Sequence, residues 1–407
     1  MQFGLLGRKL GHSLSPQIHA CFGDYPYALF CREEDELPAF FADRSLAGFN
    51  VTVPYKLNAY RACGKLSDAA KHIGAVNTVL RLPDGTLFGD NTDYFGFCYL
   101  AKRNGVEFKN KKVVILGSGG ASKTVQAVAK DAGAAQIVVV SRTGSDNYET
   151  ISRHFDAQIL VNTTPVGMFP NNLQSPVSLD GFSKLQAVLD LIYNPMQTAL
   201  LRDADARGIK TANGLAMLVA QALPAARLFT GKALPDSLIE TTIETIERQQ
   251  RNVVLIGMPG CGKSTVGALL ANRLGKAFLD TDTMVETAAG MPIPAIFAAG
   301  GEADFRAKET AAVKEAGKSL STVIATGGGS ILTEENRAAL GQNAVVVYLK
   351  KELSALATDG RPLSKDENAL RQLYLQRKPI YEAFADCTVV VSDDAQITTE
   401  RVISCIC

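Results

Sequence analysis

The chain has no run of about 18 apolar residues, the length a helix needs to cross a bilayer. Its first residues show no charged-then-apolar leader. Neither a membrane span nor a secretory signal is expected, and a cytoplasmic location is. Charge imbalance is also missing: 42 Lys and Arg against 41 Asp and Glu give a net charge of +1. No nucleic-acid surface and no anionic membrane partner is therefore expected, and anion binding has to be local. There is no CxxC pair. The cysteines, Cys21, Cys31, Cys63, Cys98, Cys261, Cys387, Cys405 and Cys407, are scattered, which suits buried thiols in a reducing compartment better than a disulfide framework. The terminal CxC reads as a frayed end. No repeat and no low-complexity tract is visible. What is present is 407 residues, 46% hydrophobic and 20% charged, ordinary globular composition and too long for one core, so two or three domains are expected.

Apolar, β-branched runs alternate with helix-like stretches. Those at 113–117, 136–141, 158–162, 252–257, 322–327 and 344–349 read as buried strands, most followed by glycine or a polar turn and then a helical pattern. That is the signature of parallel α/β sheets. The polar segment TTIETIERQQR, 241–251, lies between two α/β series and reads as a helix end and a linker. The first series subdivides near Tyr94 and again near Asn213.

GMPGCGKST, 257–265, fits G-x-x-x-x-G-K-[ST] between a strand and a helical pattern. Glycines let backbone N–H groups turn onto phosphate oxygens, and the helix N-terminus adds its positive dipole end. Lys263 supplies a compact charge and Ser264 a hydroxyl for Mg²⁺. ATP is therefore expected on Gly257, Gly260, Cys261, Gly262, Lys263, Ser264 and Thr265. In FLDTD, Asp280 and Asp282 stand two apart at the end of a strand-like run, so strand alternation would aim both carboxylates to one face.

GSGGAS, 117–122, follows a strand and opens a helix, and a second strand follows where a βαβ unit places it. There NAD binders carry an acid; here stand Ser141, Arg142 and Thr143. Arginine attracts a 2′-phosphate that an acid would repel, so NADP(H) is favoured. Upstream, LGHSLSPQIH, GFNVTVPYK, GAVNT and GDNTDYFGF supply small polar groups, as do NTTPVGM, DLIYNP and NGLAMLVAQ downstream.

From 252 to the C-terminus the order GMPGCGKST, FLDTD, GGEADFRAKE, TGGGS, GRPL and QRKPIYEAFAD resembles shikimate kinase. The N-terminal set resembles shikimate dehydrogenase over residues 1 to about 232. The double resemblance implies a bifunctional α/β chain. Its substrate-binding α/β domain would be 1–94 plus 213–246, its Rossmann NADP-binding domain 95–212, its linker 247–251 and its P-loop kinase α/β/α domain 252–407. It also implies NADPH-dependent reduction of 3-dehydroshikimate, then phosphorylation of shikimate by MgATP.

For the reductase, the resemblance makes Lys56 and Asp93 the catalytic pair. Ser13, Ser15, Thr52, Asn77 and Gln221 would hold substrate, and Gly117, Ser118, Gly119, Gly120, Ala121, Ser141, Arg142, Thr143, Met168 and Gly214 the NADP. For the kinase, Asp282 would orient or deprotonate the acceptor hydroxyl. Arg306 and Arg377 would grip the carboxylate, and Gly327, Gly328 and Gly329 the ring hydroxyls. Arg361 would come from a lid over ATP, and Ser264 and Asp280 would hold Mg²⁺. Small molecules are the partners implied; monomer and homodimer stay open. His12, His19, Asp190 and Asn194 are expected in structural roles.

The chain departs from these patterns in places. Ser122 replaces a third glycine, about 18 residues between Thr143 and Asn162 suggest a trimmed α/β unit, and no second arginine precedes Arg361. An NAD-linked quinate/shikimate dehydrogenase, a related small-molecule kinase and a non-catalytic sensor of pathway intermediates are the competing readings. Arg142 opposes the first, and the presence of Lys56, Asp93, Lys263 and Asp280 opposes the last.

Overall fold

A computed structural model describes residues 2–11, 13–353, 356 and 367–406. His12 and Arg361 fall outside them. The chain divides into two compact units, 1–247 and 248–407.

The first unit holds two sheets. One contains β1 (Gln2–Gly7), β2 (Tyr27–Cys31), β3 (Leu46–Val51), β4 (Lys65–Leu66), β5 (Thr78–Arg81) and β6 (Leu87–Asp90), in the order β2-β1-β3-β5-β6-β4. It is mixed: β1 pairs parallel with β2 and β3, whereas β5 runs antiparallel to both β3 and β6. The other contains β7 (Lys112–Leu116), β8 (Gln136–Val140), β9 (Ile159–Asn162), β10 (Ala187–Asp190) and β11 (Lys210–Ala212), ordered β11-β10-β9-β7-β8 and wholly parallel. Val113, Val114, Ile115 and Leu116 are all buried, as central strands covered on both faces require. The chain order reverses at β7, and the crevice at the carboxyl ends of β7 and β9 is where such sheets bind ligands.

Between β8 and β9 stands only a single 3₁₀ turn, Ile151–His154, in place of a crossover helix, which is the trimmed unit the spacing suggested. Helices Asp93–Arg103 and Leu215–Thr230 cross closely because Gly96 has no side chain. A Cβ there would lie 2.7 Å from the Met217 carbonyl and 2.9 Å from Gln221 Cβ.

The second unit has one parallel sheet of β12 (Asn252–Ile256), β13 (Ala277–Asp280), β14 (Thr322–Ala325), β15 (Ala344–Lys350) and β16 (Cys387–Val390), ordered β13-β14-β12-β15-β16. The order reverses at β12, directly before the phosphate-loop motif.

The sequence expectations need correction in several places. The segment 247–251, expected as a linker, is helical up to Gln250: helix Leu238–Gln250 leaves only Arg251 before β12 begins. Its buried stripe, Ile239, Thr242, Ile243 and Ile246, has helical spacing. Cys387 and Cys405 form a disulfide with Cα atoms 6.5 Å apart, because helix Ala395–Ile406 returns along β16, a proximity that spacing does not reveal. Cys21 and Cys31 are exposed rather than buried. Among the described residues no helix is long and apolar enough to cross a membrane.

Candidate active sites

In the first unit, Lys56 is the first residue of helix Lys56–Ala62 and Asp93 the first of helix Asp93–Arg103. Their side chains meet with Nζ 2.6 Å from Oδ2, and both are mostly buried. A negative side chain is favoured at a helix N-terminus, and here it anchors the ammonium that faces it.

Beside this pair the small polar side chains join into one network. Ser13 Oγ donates to Ser15 Oγ at 3.2 Å. Ser15 lies beside Tyr27, whose hydroxyl donates to Asn50 Oδ1 at 2.7 Å. Asn50 Nδ2 donates to Thr78 Oγ1, and Thr78 to Asn77 Oδ1. Asn77 Nδ2 reaches Thr92 Oγ1 at 3.0 Å and Gln221 Oε1 at 3.3 Å. The structure thus brings Ser13, Ser15, Asn77 and Gln221 into one chain and adds Tyr27, Thr78 and Thr92. Thr92 was legible as the residue before Asp93; Tyr27 had no motif around it. Thr52 lies on the turn between β3 and Lys56, its N–H donating to the Leu6 carbonyl at 2.9 Å. This bond fixes the turn that leads to Lys56, and the Thr52 side chain is not part of the hydrogen-bonded network.

His19 takes the structural place expected of it. It is 1% exposed, stacks on Tyr27 at 3.9 Å and pairs through Nδ1 with the Tyr25 hydroxyl. Burial pushes its pKa down to about 3, so it stays neutral. Asp190 is likewise internal. Its carboxylate accepts from Asn162 Nδ2, the Ile192 N–H and the Thr198 hydroxyl, and burial raises its pKa to about 6. This cluster braces the loops after β9 and β10.

At the crevice, Gly117 adopts φ +101° against Thr163 and Thr164. Helix Gly120–Asp131 then starts with an uncapped N-terminus. Nothing lies within 4 Å of a Cβ built at Gly119, and the first neighbour of one built at Gly120 is Lys56 Cδ at 3.6 Å. Free backbone N–H groups facing open space at a helix start fit a pyrophosphate, and Lys56 is the side chain beside them. Ser118 is exposed and Ala121 half-buried. Ser122 is fully buried and accepts from Gln126, so the missing third glycine costs no packing. At the end of β8, Ser141 is buried while Arg142 and Thr143 are exposed, free to meet a phosphate. Met168 is 42% exposed. Gly214 is pressed on the Leu191 carbonyl, 2.1 Å from where a Cβ would stand.

In the second unit, the loop after β12 carries Gly257, Gly260 and Gly262 at φ +146°, +82° and +96°, a conformation suited to glycine. Cys261 is buried and Thr265 exposed. Lys263 Nζ donates to the carbonyls of Gly257 and Met258 at 2.9 and 3.0 Å. The loop is folded on its own lysine, around a helix N-terminus, as a polyphosphate cradle would be. Ser264 Oγ donates to Asp280 Oδ2 at 2.6 Å, a hydroxyl and a carboxylate together at the mouth of this loop. A hydroxyl and one carboxylate at this loop fit Mg²⁺, which takes few protein ligands and completes its shell with phosphates and water.

The two aspartates are not arranged by strand alternation, as the sequence suggested. Asp280 ends β13 and caps helix Thr281–Ala289, its Oδ1 accepting from the N–H groups of Asp282 and Thr283. Asp282 is already in the helix. Burial, then the neighbouring Asp280, raises its pKa to about 6, against the pull of Lys263. Its Oδ1 lies 2.5 Å from where a Cβ on Gly327 would be, and Arg306 Nη1 stands 2.5 Å from one on Gly329. Arg306 pairs with Glu302 and Glu309 at 3.1 and 2.7 Å. Arg377 is 4% exposed. Glu309, buried, also accepts from Ser330 Oγ at 2.7 Å. It was legible only as a carboxylate one turn after Arg306.

Residues 5–79 match the family described as shikimate dehydrogenase substrate binding domain, and residues 259–407 match the shikimate kinase family. A shikimate dehydrogenase (NADP(+)) of Clostridium perfringens (strain SM101 / Type A) is 36% identical over 266 residues, which cover 60% of this chain and 98% of the relative. The crystal structure of shikimate dehydrogenase 1 from Peptoclostridium difficile superposes with a TM-score of 0.57 at 36% identity, over 60% of this chain and 98% of that one. For shikimate 5-dehydrogenase from Thermus thermophilus, in complex with NADP(H) and shikimate, the TM-score is 0.54 at 33% identity, over 60% and 99%.

Proposed function

This chain belongs to the shikimate dehydrogenase family and carries a shikimate kinase domain behind it, and from that premise we propose how its residues divide the work. It is a bifunctional enzyme: 3-dehydroshikimate is reduced to shikimate with NADPH, and shikimate is phosphorylated to shikimate 3-phosphate with MgATP. The observation that carries the reductase assignment is the Lys56–Asp93 pair at 2.6 Å, bordered by the polar network on one side and the open glycine turn at Gly120 on the other.

NADPH, when bound, supplies the hydride. Gly117 to Ala121 would hold its pyrophosphate, Ser141, Arg142 and Thr143 the 2′-phosphate, and Met168 and Gly214 the nicotinamide end. Ser13, Ser15, Thr52, Asn77 and Gln221 would hold the carboxylate and hydroxyls of the substrate. Lys56 donates a hydrogen bond, then a proton, to the carbonyl oxygen as charge grows on it, and Asp93 keeps the ammonium aimed there.

MgATP, when bound, supplies the phosphoryl group. The loop from Gly257 to Thr265 cradles the phosphates, with Ser264 and Asp280 at the metal. Asp282 accepts the proton of the shikimate hydroxyl, and its raised pKa suits a base. Arg306 and Arg377 fit the planar carboxylate, and the turn from Gly327 to Gly329 lets the ring approach the backbone. Domain limits of 1–94 with 213–246, 95–212 and 252–407 are part of this reading. So is a cytoplasmic location, where NADPH and ATP are both at hand.

The test is one incubation with 3-dehydroshikimate, NADPH and MgATP, following NADPH absorbance and ADP together. ADP release that depends on NADPH oxidation is the expected result. NADPH loss without ADP would sink the kinase half, and silence of both signals, with NADH also failing, would favour a sensor.

A further inference from the structure

Tyr381 is a buried side chain with no part in either reaction as described above, yet it is bonded to one of the sites. It lies one turn beyond Arg377 on helix Glu367–Phe384. It is 0% exposed, and its ring stacks on Tyr348 of β15 with centroids 5.1 Å apart. A phenol this deep needs a partner for its O–H. The partner is the carbonyl of Gly328, at 2.5 Å. The guanidinium of Arg377 lies near enough to act electrostatically on the same phenol. One hydroxyl therefore fastens the helix that carries Arg377 to the middle of the glycine turn.

That turn has no side chains with which to fix itself, and each of its glycines presses on a different functional group. A Cβ on Gly327 would stand 2.5 Å from Asp282 Oδ1, one on Gly328 2.6 Å from the Pro259 ring, and one on Gly329 2.5 Å from Arg306 Nη1. Pro259 belongs to the phosphate loop. A shift of the Gly328 carbonyl would thus displace the turn relative to the base, the nucleotide loop and a carboxylate-binding arginine at once. The stack on Tyr348 restricts the phenol to one orientation, and hydrogen-bond geometry then restricts the carbonyl.

We propose that Tyr381 is a positioning residue for the kinase reaction, whose hydroxyl locks the Gly327–Gly329 turn and Arg377 into the arrangement that receives the acceptor. The assignment rests on the kinase reading above. It predicts a selective effect: the acceptor side depends on this hydroxyl, whereas the phosphate loop is held by its own lysine and backbone.

The test is Tyr381→Phe in the full-length chain, which keeps the ring stack and removes one hydroxyl. Steady-state kinetics are measured with shikimate varied at saturating MgATP, and the reverse. KM for shikimate should rise about five- to tenfold, the worth of one hydrogen bond, while KM for MgATP moves less than about twofold. ADP titration and the thermal unfolding midpoint report whether the second unit is intact. An unchanged KM for shikimate overturns the proposal. So does a parallel loss of ADP affinity, kcat and unfolding midpoint, which would make Tyr381 a packing residue only. Wild-type chain that phosphorylates no shikimate would overturn the kinase reading and this assignment together. Active wild type with an indifferent variant sinks the assignment alone.

Discussion

Lys56 Nζ and Asp93 Oδ2 stand 2.6 Å apart, each at the first position of its own helix and each mostly buried. Two helix starts therefore converge on one ion pair. Truncating the lysine removes the proton donor we propose and leaves Asp93 without its partner. Lys56→Ala should lower the reduction rate by about 10²- to 10⁴-fold, the usual worth of a positioned acid, and leave phosphorylation of added shikimate unchanged. Lys263→Ala, which empties the centre of the phosphate loop, should do the reverse. Both rates are measured on one preparation of each variant. Loss of both activities from either change, in folded protein, would contradict two independent sites.

The parallel sheets around these sites were legible because their strands are continuous β-branched runs. All six expected runs are strands, ending within two residues of the reading. The first sheet was not read. Its β2, β4 and β6 span 5, 2 and 4 residues, too few for alternation to stand out. Lys56, Asp93 and the phosphate loop stood in motifs, so the sequence located them. Tyr27 and Tyr381 act through contacts between distant segments, which no local spacing encodes, and Glu309 adds one such contact, to Ser330, to its neighbour Arg306. The Asp280 and Asp282 geometry was misread because a helix begins between them, and Asp280 is its cap.

His19 makes the fold sensitive to acid. Its pKa is about 3 in the folded chain against 6.5 for the free side chain, because burial opposes its charge. A base whose folded pKa is lowered gives stability that is complete above pH 6.5 and is lost as pH falls toward 3. At pH 5 the loss should be about 2 kcal/mol. His19→Phe can keep the stack on Tyr27 but cannot titrate. Denaturant unfolding at pH 7 and pH 5 should show a smaller fall for the variant, even though it loses the bond to Tyr25 and starts lower. An identical fall in both chains would mean that other groups control acid unfolding.

Gly96 sets how closely the helices carrying Asp93 and Gln221 approach. With a side chain at this position, the Met217 carbonyl and the Gln221 Cβ would both lie under 3.0 Å from the new atom, and backbone at the contact cannot swing away. Gly96→Val should therefore separate the helices and move Gln221 away from Asn77 and Thr92. We expect KM for 3-dehydroshikimate to rise by about tenfold or more, together with some stability loss. Kinase kinetics serve as the internal control. Unchanged reductase kinetics would show that Gln221 is not held by this contact.

Glu309 decides whether Arg306 stands ready for a carboxylate. It is 1% exposed and has one oxygen on Arg306 and the other on Ser330. The Ser330 bond leads directly into the end of the glycine turn. Glu309→Gln keeps the size and one acceptor but removes the charge that fixes the guanidinium. Arg306 would still have Glu302, a more exposed carboxylate one turn away, and would swing toward it. Because an exposed pair is worth little, the guanidinium would then occupy several positions, and substrate binding would have to order it. KM for shikimate should rise by about three- to thirtyfold with KM for MgATP unchanged, since the bonds of Glu309 run to Arg306 and Ser330 and not to the phosphate loop. Shikimate titration by calorimetry checks the same point without turnover: the variant should bind more weakly with a larger entropic penalty. Equal affinity in the two chains would mean that Arg306 is positioned by the helix alone.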